Sequence, residues 1–296
     1  MLLILISGVL AVNQPGLVIE SGTAKYTLCE LLGEGHTGAV HAAVSEEWGD
    51  PKYNCESENR LALKCGNIGR QEMYRGEADY MSTLSSESWV PRIYEYFTKL
   101  DGSEEPCIAM ELLGRDLHGL RGRNAKGPEW PWVRLGSIGA RMLEIVEILH
   151  NKYILVHTDL HSGNWMLPRG LLNSELKMID YGHCRPLQAF KMRSRDSYAL
   201  EEIRQVIINI RYLFDGDFTF YAWKRYKFNE AEICAGVHPA LCEALVYVND
   251  LREGDALDYS KLHGLMVSLV EETGAYKYEN RLIWEPHSLE SHPERL

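Results

Sequence analysis

An α+β fold in two parts, a small β-rich one carrying one helix and a larger, mainly helical one, is what this sequence predicts. Three observations predict it. Short runs of strand-type residues recur between Tyr26 and Leu112 and are interrupted by a single helical stretch. The period then changes, with Val133 to Asn151 carrying apolar residues at helical intervals over a length that suits a buried helix. From Tyr198 onward helical spacing dominates. With 296 residues, 45% of them apolar, the chain can bury a large core.

Taken in order, Leu2 to Val12 is an uncharged apolar run about as long as the core of a signal peptide, but it lacks a basic flank and a good cleavage site. It is too short to span a bilayer, as is every later segment. A signal, an extra strand and an unstructured lead all remain open for it. Tyr26 to Val44 alternates around a glycine cluster, which predicts strand, tight turn, strand. Ser45 to Asn59 is polar, with Gly and Pro, and predicts a loop; Arg60 to Cys65 returns as a strand. Gln71 to Leu84 predicts a helix, and Trp89 to Phe97 and Cys107 to Leu112 two more strands. After the long helix, short strands are expected at Trp165 to Leu167 and Leu176 to Ile179. There is no internal repeat and no low-complexity tract.

A formal charge of −11 argues against a nucleic-acid binder, whose affinity comes mainly from Lys and Arg; a soluble surface is the simpler meaning of that charge. The seven cysteines are an odd number with no CxxC pair and no zinc-ligand spacing. They are expected to be mostly buried thiols of a reducing, cytoplasmic setting, with secretion the alternative that the Leu2 to Val12 run keeps open.

The chemistry-bearing residues fall in order. Gly33, Gly35 and Gly38 in LGEGHTGAV fit G-x-G-x-x-G-x-V, in which missing side chains let backbone N–H groups approach phosphates and Val40 covers a base. A plain glycine hairpin would look the same, and dinucleotide-binding domains share the glycines but place them between a strand and a helix. Here they lie between two strands. Lys64, after Leu61, Ala62 and Leu63, sits one strand later, where a lysine can pair with α- and β-phosphates and a helical glutamate. The alternative is a solvated edge lysine. Glu77 is the expected partner, with Glu72 the fallback, and Ala62 is expected to line the adenine pocket. His157-Thr158-Asp159 with Asn164 matches H-x-D-x-x-x-x-N, and Asp180-Tyr181-Gly182 stands where D-F-G belongs, after an apolar strand. Phosphoryl transfer needs a carboxylate near the acceptor hydroxyl, Asp159, and oxygen ligands for magnesium, Asn164 and Asp180.

With that set in order, the chain resembles the protein kinase superfamily, and within it the casein kinase 1 group. Met110-Glu111-Leu112-Leu113-Gly114 is similar to that group's hinge, as are NWMLPRGLLNSELKMID before Asp180 and DLREGDALDYSKLHGLMVSL near the end, with Asp258-Tyr259-Ser260 the most recognisable piece. The resemblance runs from about Tyr26 to Trp284. It implies a bilobal kinase-like fold with N-lobe 26–110, hinge 111–116 and C-lobe 117–285, flanked by an extension 1–25 and a tail 286–296. It makes Met110 the gatekeeper, gives Glu111 and Leu113 backbone bonds to adenine, and counts Met166 among the nucleotide-binding residues. ATP and Mg2+ are the implied cofactors.

Three departures bear on substrate. Thr158 replaces the arginine of H-R-D that reads an activation-loop phosphate. His161 stands where a lysine usually steadies the γ-phosphate, so transfer is expected to be slower or pH-dependent. The string H-T-D-L-H-S-G-N also resembles aminoglycoside and choline phosphotransferases. Finally, Arg195 to Leu200 is similar to the start of the helix supporting the catalytic loop, with Asp196 holding backbone amides. That leaves only His183 to Ser194 for a peptide platform, without A-P-E. The expected function is a phosphotransferase acting on a Ser or Thr hydroxyl of a protein. A small-molecule kinase and a pseudokinase that binds nucleotide or a partner are the alternatives, and oligomeric state is open.

Overall fold

The computed structural model describes residues 15–35, 37–47, 55–56, 59–122, 130–169, 175–187, 195–216, 229–252 and 254–271. The Leu2 to Val12 run, the tail 286–296 and most of the segment between Gly182 and Arg195 lie outside them. The chain divides into two compact units, one ending at Leu113 and one beginning at Gly114.

The first unit is an antiparallel sheet of six strands, β1 (Val18–Glu20), β2 (Lys25–Gly35), β3 (Gly38–Ser45), β4 (Leu61–Gly66), β5 (Ile93–Thr98) and β6 (Pro106–Glu111), in the order β1-β2-β3-β4-β6-β5. Alternation sends successive side chains to opposite faces. One face carries Tyr26, Leu28, Ala43, Leu61, Leu63, Phe97 and Ala109 in a buried cluster. The other receives helix α1 (Gln71–Thr83), whose Tyr74, Glu77, Ala78 and Met81 recur at helical spacing and are all buried.

The second unit is mainly helical, with α2 (Leu117–Arg121), α3 (Trp132–Asn151), α4 (Arg195–Asp215), α5 (Glu230–Ile233), α6 (Pro239–Asp250) and α7 (Tyr259–Glu271). Short strands β7 (Leu113–Asp116), β9 (Trp165–Pro168) and β10 (Lys177–Met178) form one small sheet, and β8 (Leu155–Val156) pairs with β11 (Arg185–Pro186). Helix α3 is buried without interruption from Val133 to Leu143, and less buried positions, among them Glu144 and Glu147, follow in its second half. Its Gly136 and Gly139 let α7 approach closely, since a Cβ at either would stand under 3.0 Å from Met266. No described helix is long and apolar enough to cross a membrane.

The expected α+β architecture, strand-rich with one helix and then mainly helical, is observed. The cysteine expectation is overturned. Six of the seven form disulfides, Cys29–Cys55, Cys65–Cys107 and Cys234–Cys242, and Cys184 is outside them. Cys65 and Cys107 lie directly opposite each other on β4 and β6. Cys234 and Cys242 meet because α5 turns at once into α6. Pairing at these separations leaves no signature such as CxxC, which is why the sequence suggested thiols.

Candidate active site

In the first unit, the sheet register gathers the candidate residues on one face. Val40 pairs with Lys64 and Lys64 with Ile108, while Ala42 pairs with Ala62 and Ala62 with Met110. Side chains in register across neighbouring strands share a face, so Val40, Ala62, Lys64 and Met110 stand on the α1 side. Tyr74 and Ala78 of α1 pack there against Ile108, with Met110 beside them. Glu77 lies one turn beyond Tyr74 and reaches Lys64, whose Nζ sits 2.8 Å from each carboxylate oxygen. The Lys64 and Glu77 side chains are only 11% and 2% exposed. Glu72, the fallback partner, is exposed on the opposite side of the helix. A buried pair that lost one member would leave an uncompensated charge, so the two are mutually required.

The β2–β3 hairpin pairs Gly33 with Val40 and Gly35 with Gly38. Its three glycines do different things. At Gly33 and Gly35 no atom lies within 4 Å of where a Cβ would stand, so the backbone there is open to an incoming group. Gly38, at φ +154°, is glycine for the fold's own sake: a Cβ would meet the Cys65 carbonyl oxygen at 2.0 Å and Tyr74 Oη at 2.6 Å. Tyr74 also donates to the Thr37 carbonyl at 3.2 Å, tying α1 to the hairpin turn. Further along, the Glu111 N–H donates to the Arg92 carbonyl at 2.7 Å, so a bond from Glu111 to adenine would fall to its carbonyl. Leu113 is buried at the start of β7.

In the second unit the loop after β8 carries the rest. Thr158 has φ +69°, rare for a β-branched residue. Its N–H donates to Glu202 and its Oγ1 to the His183 carbonyl at 2.9 Å. Two residues on, the Leu160 N–H donates to Gln205 Oε1 at 2.9 Å, and Asn209 Nδ2 donates to the Leu160 carbonyl at 2.6 Å. The loop is therefore pinned on both sides of Asp159, whose side chain stays 51% exposed. His161 accepts the Gly163 N–H at Nδ1, 3.0 Å away, and its Nε2 lies 3.8 Å from Asp159 Oδ2.

Asn164 is buried and donates through Nδ2 to the Asp159 carbonyl at 2.8 Å, which directs its Oδ1 away from that bond. Its own carbonyl accepts from the Ile179 N–H at 3.0 Å, one residue before Asp180. Asp180 has φ +66°. His157, fully buried, is kept below the ordinary histidine value by desolvation, against the opposing pull of Glu202. A carbonyl only accepts, so the neutral ring donates Nε2–H to Ile179 at 2.9 Å. Met166 is half-buried on β9 opposite Lys177.

These bonds join Asp159, Asn164 and Asp180 through shared backbone. Asn164 Oδ1 and the Asp180 carboxylate are hard oxygen donors of the kind magnesium takes; within the first unit, the hairpin at Gly33 and Gly35 leaves room for a phosphate to approach its backbone. The sequence missed Glu202, Gln205 and Asn209. Asp196, expected to hold the loop amides, has its side chain outside the described residues, and Glu202 two turns later holds Thr158. The signal was a polar stripe at i, i+3 and i+7 among the apolar residues Ile203, Val206, Ile207, Ile208 and Ile210 of the same helix.

Compared with known proteins, residues 26–200 match the family described as protein kinase domain. The serine/threonine-protein kinase PksC of Streptomyces coelicolor is 28% identical over 165 residues, which are 53% of this chain and 27% of that protein. CDPK-related kinase 3 of Arabidopsis thaliana is 26% identical over 168 residues, 54% of this chain and 26% of that protein. The chain thus spans about a quarter of the length of these relatives. Among solved structures, vaccinia related kinase 3 matches with a TM-score of 0.64 at 13% identity, covering 89% of this chain and 92% of that one, a likeness of fold. With more than half of its length matched by that family, this chain belongs to the protein kinase domain family.

Proposed function

We propose that this chain is an active, ATP-dependent protein kinase of casein kinase 1-like type that phosphorylates Ser or Thr hydroxyls. The observation that carries the reading is the exposed Asp159 carboxylate on a loop whose flanking residues, Thr158 and Leu160, are both bonded to α4. Phosphoryl transfer is chiefly positioning and charge neutralisation. In this reading Lys64, aligned by Glu77, engages the α- and β-phosphates, and Val40, Ala62, Met110, Glu111, Leu113 and Met166 take the adenine. Asn164 and Asp180 would hold the metal. Bound magnesium would neutralise charge on the phosphates. Asp159 accepts the acceptor's hydroxyl proton as its oxygen bonds to the γ-phosphorus and the bond to the β–γ bridging oxygen breaks, releasing ADP.

The test is turnover of Mg-ATP by wild type, Asp159→Ala and Asp180→Ala with peptide acceptors. Turnover in wild type alone supports the reading. Wild type that binds Mg-ATP yet turns over no faster than Asp159→Ala with any acceptor is a pseudokinase. Metal-dependent nucleotide binding that survives in Asp180→Ala removes Asp180 as a metal ligand.

A small-molecule acceptor is the second reading, favoured by His161 beside Asp159 and by the short interval 183–194 before α4. Labelled phosphate appearing on sugars or amino-alcohols but not on peptides would select it. Three disulfides also support a chain that works where thiols are oxidised, against the cytoplasmic expectation.

A further inference from the structure

Behind the catalytic loop, side chains from three helices form a line of hydrogen bonds. His150, in the last turn of α3, is 2% exposed; its Nε2 lies 2.7 Å from Glu202 Oε2 and its Nδ1 2.7 Å from Tyr259 Oη. Glu202, also 2% exposed, takes the Thr158 N–H on its other oxygen. A carboxylate only accepts, so His150 donates from Nε2, and the bond between Nδ1 and Tyr259 Oη holds the other side of the ring. A continuous line of bonds therefore runs from Tyr259 to the amide beside Asp159.

We propose that Tyr259 is a positioning residue for the catalytic loop, acting through His150 and Glu202; its kinetic consequence rests on the phosphotransferase reading above. Tyr259 opens α7, where Asp258 fixes the helix start by accepting the Lys261 N–H at 2.8 Å, while the Asp258 N–H donates to Tyr247 Oη at 3.0 Å. The Asp258-Tyr259-Ser260 stretch singled out by its sequence thus has a role distinct from nucleotide or acceptor contact. Beside the pair lies a recess of about 340 Å3, lined by His150, Asn151, Leu187, Ala199, Leu257 and Tyr259 among others. The two rings also meet edge to face, their centroids 6.2 Å apart, so the hydroxyl bond and the ring contact together set the orientation of His150. Without the hydroxyl, the ring loses the bond that holds Nε2 toward Glu202. Thr158, held at φ +69°, is a conformation that persists only when its surroundings over-determine it.

The test compares the whole chain as wild type, Tyr259→Phe, Glu202→Gln and the double variant, by amide hydrogen exchange and by steady-state kinetics. Losing one buried link should raise Thr158 amide exchange by about tenfold in Tyr259→Phe, with the amides of the α3 core unchanged. kcat should fall several-fold while the KM for Mg-ATP holds. The double variant should exchange like Glu202→Gln alone. Tyr259→Gln, with an amide N–H in place of the hydroxyl, should restore protection, and Ser268→Ala on the same helix should change neither readout. Thr158 exchange that is unchanged in Tyr259→Phe, or a full additional effect on top of Glu202→Gln, overturns the proposal. A wild type that transfers no phosphate overturns the functional reading instead, and the exchange comparison still decides the role of Tyr259.

Discussion

Thr158 carries a left-handed backbone at φ +69° that a β-branched side chain disfavours, and its hydroxyl offsets part of that cost by donating to the His183 carbonyl. The two effects separate by substitution. Thr158→Val keeps the strain and loses the bond, so it should lower stability by about 1 kcal/mol. Thr158→Gly loses the bond but relieves the backbone, and its two terms nearly cancel. Urea unfolding midpoints of the two variants check this, and equal losses in both would remove backbone strain as the cause. At this scale legibility was uneven. Asp159, Asn164 and Asp180 stood out because they fall at the fixed spacing of known motifs, H-x-D-x-x-x-x-N and the place of D-F-G. Glu202 did not, because a carboxylate that holds a loop amide distant in sequence belongs to no motif of fixed spacing, and only its place in a polar stripe with Gln205 and Asn209 marks it.

At the scale of the element, the β2–β3 hairpin separates glycines that serve the fold from glycines that leave room. Gly38→Ala forces a Cβ to within 2.0 Å of the Cys65 carbonyl oxygen at φ +154°, and should destabilise the protein by about 2 kcal/mol or more. Gly35→Ala meets nothing within 4 Å, so its unfolding midpoint should match wild type while its affinity for Mg-ATP falls. Measuring both properties in both variants checks the division. G-x-G-x-x-G was legible as a motif, yet the motif could not say that its third glycine answers to Tyr74 and Cys65. On β3 next door, His41 is 2% exposed, with Nε2 unbonded. Burial, and then the charge of Lys99, hold its ring below the ordinary 6.5, with Glu34 opposing. The folded state therefore binds fewer protons than the unfolded chain as pH falls through 6.5, and stability declines from there downward. His41→Leu removes that titration, so between about pH 7.5 and about pH 5 its unfolding midpoint should fall less than wild type's.

For the whole molecule, the order of strands and helices was legible because hydrophobic period changes where the strand-rich part ends, and each expected element from Tyr26 to Asn151 formed within a few residues. Covalent cross-links were not legible. Cys65 and Cys107 are far apart in sequence and meet only because β4 and β6 are neighbours, a fact of register. That difference has a whole-molecule consequence. Cys29–Cys55 closes a separation of 26 residues and Cys65–Cys107 one of 42, and the latter bridge sits one residue from Lys64. Each bridge restricts the unfolded chain and should contribute about 2–4 kcal/mol. Denatured without reductant, the protein should alkylate at Cys184 alone; after reduction, all seven cysteines should react. The reduced chain should unfold at lower urea, with the Cys29→Ser/Cys55→Ser variant reproducing part of the loss under oxidising conditions. Alkylation at all seven positions before reduction would sink the oxidised fold, and with it the argument for an oxidising compartment.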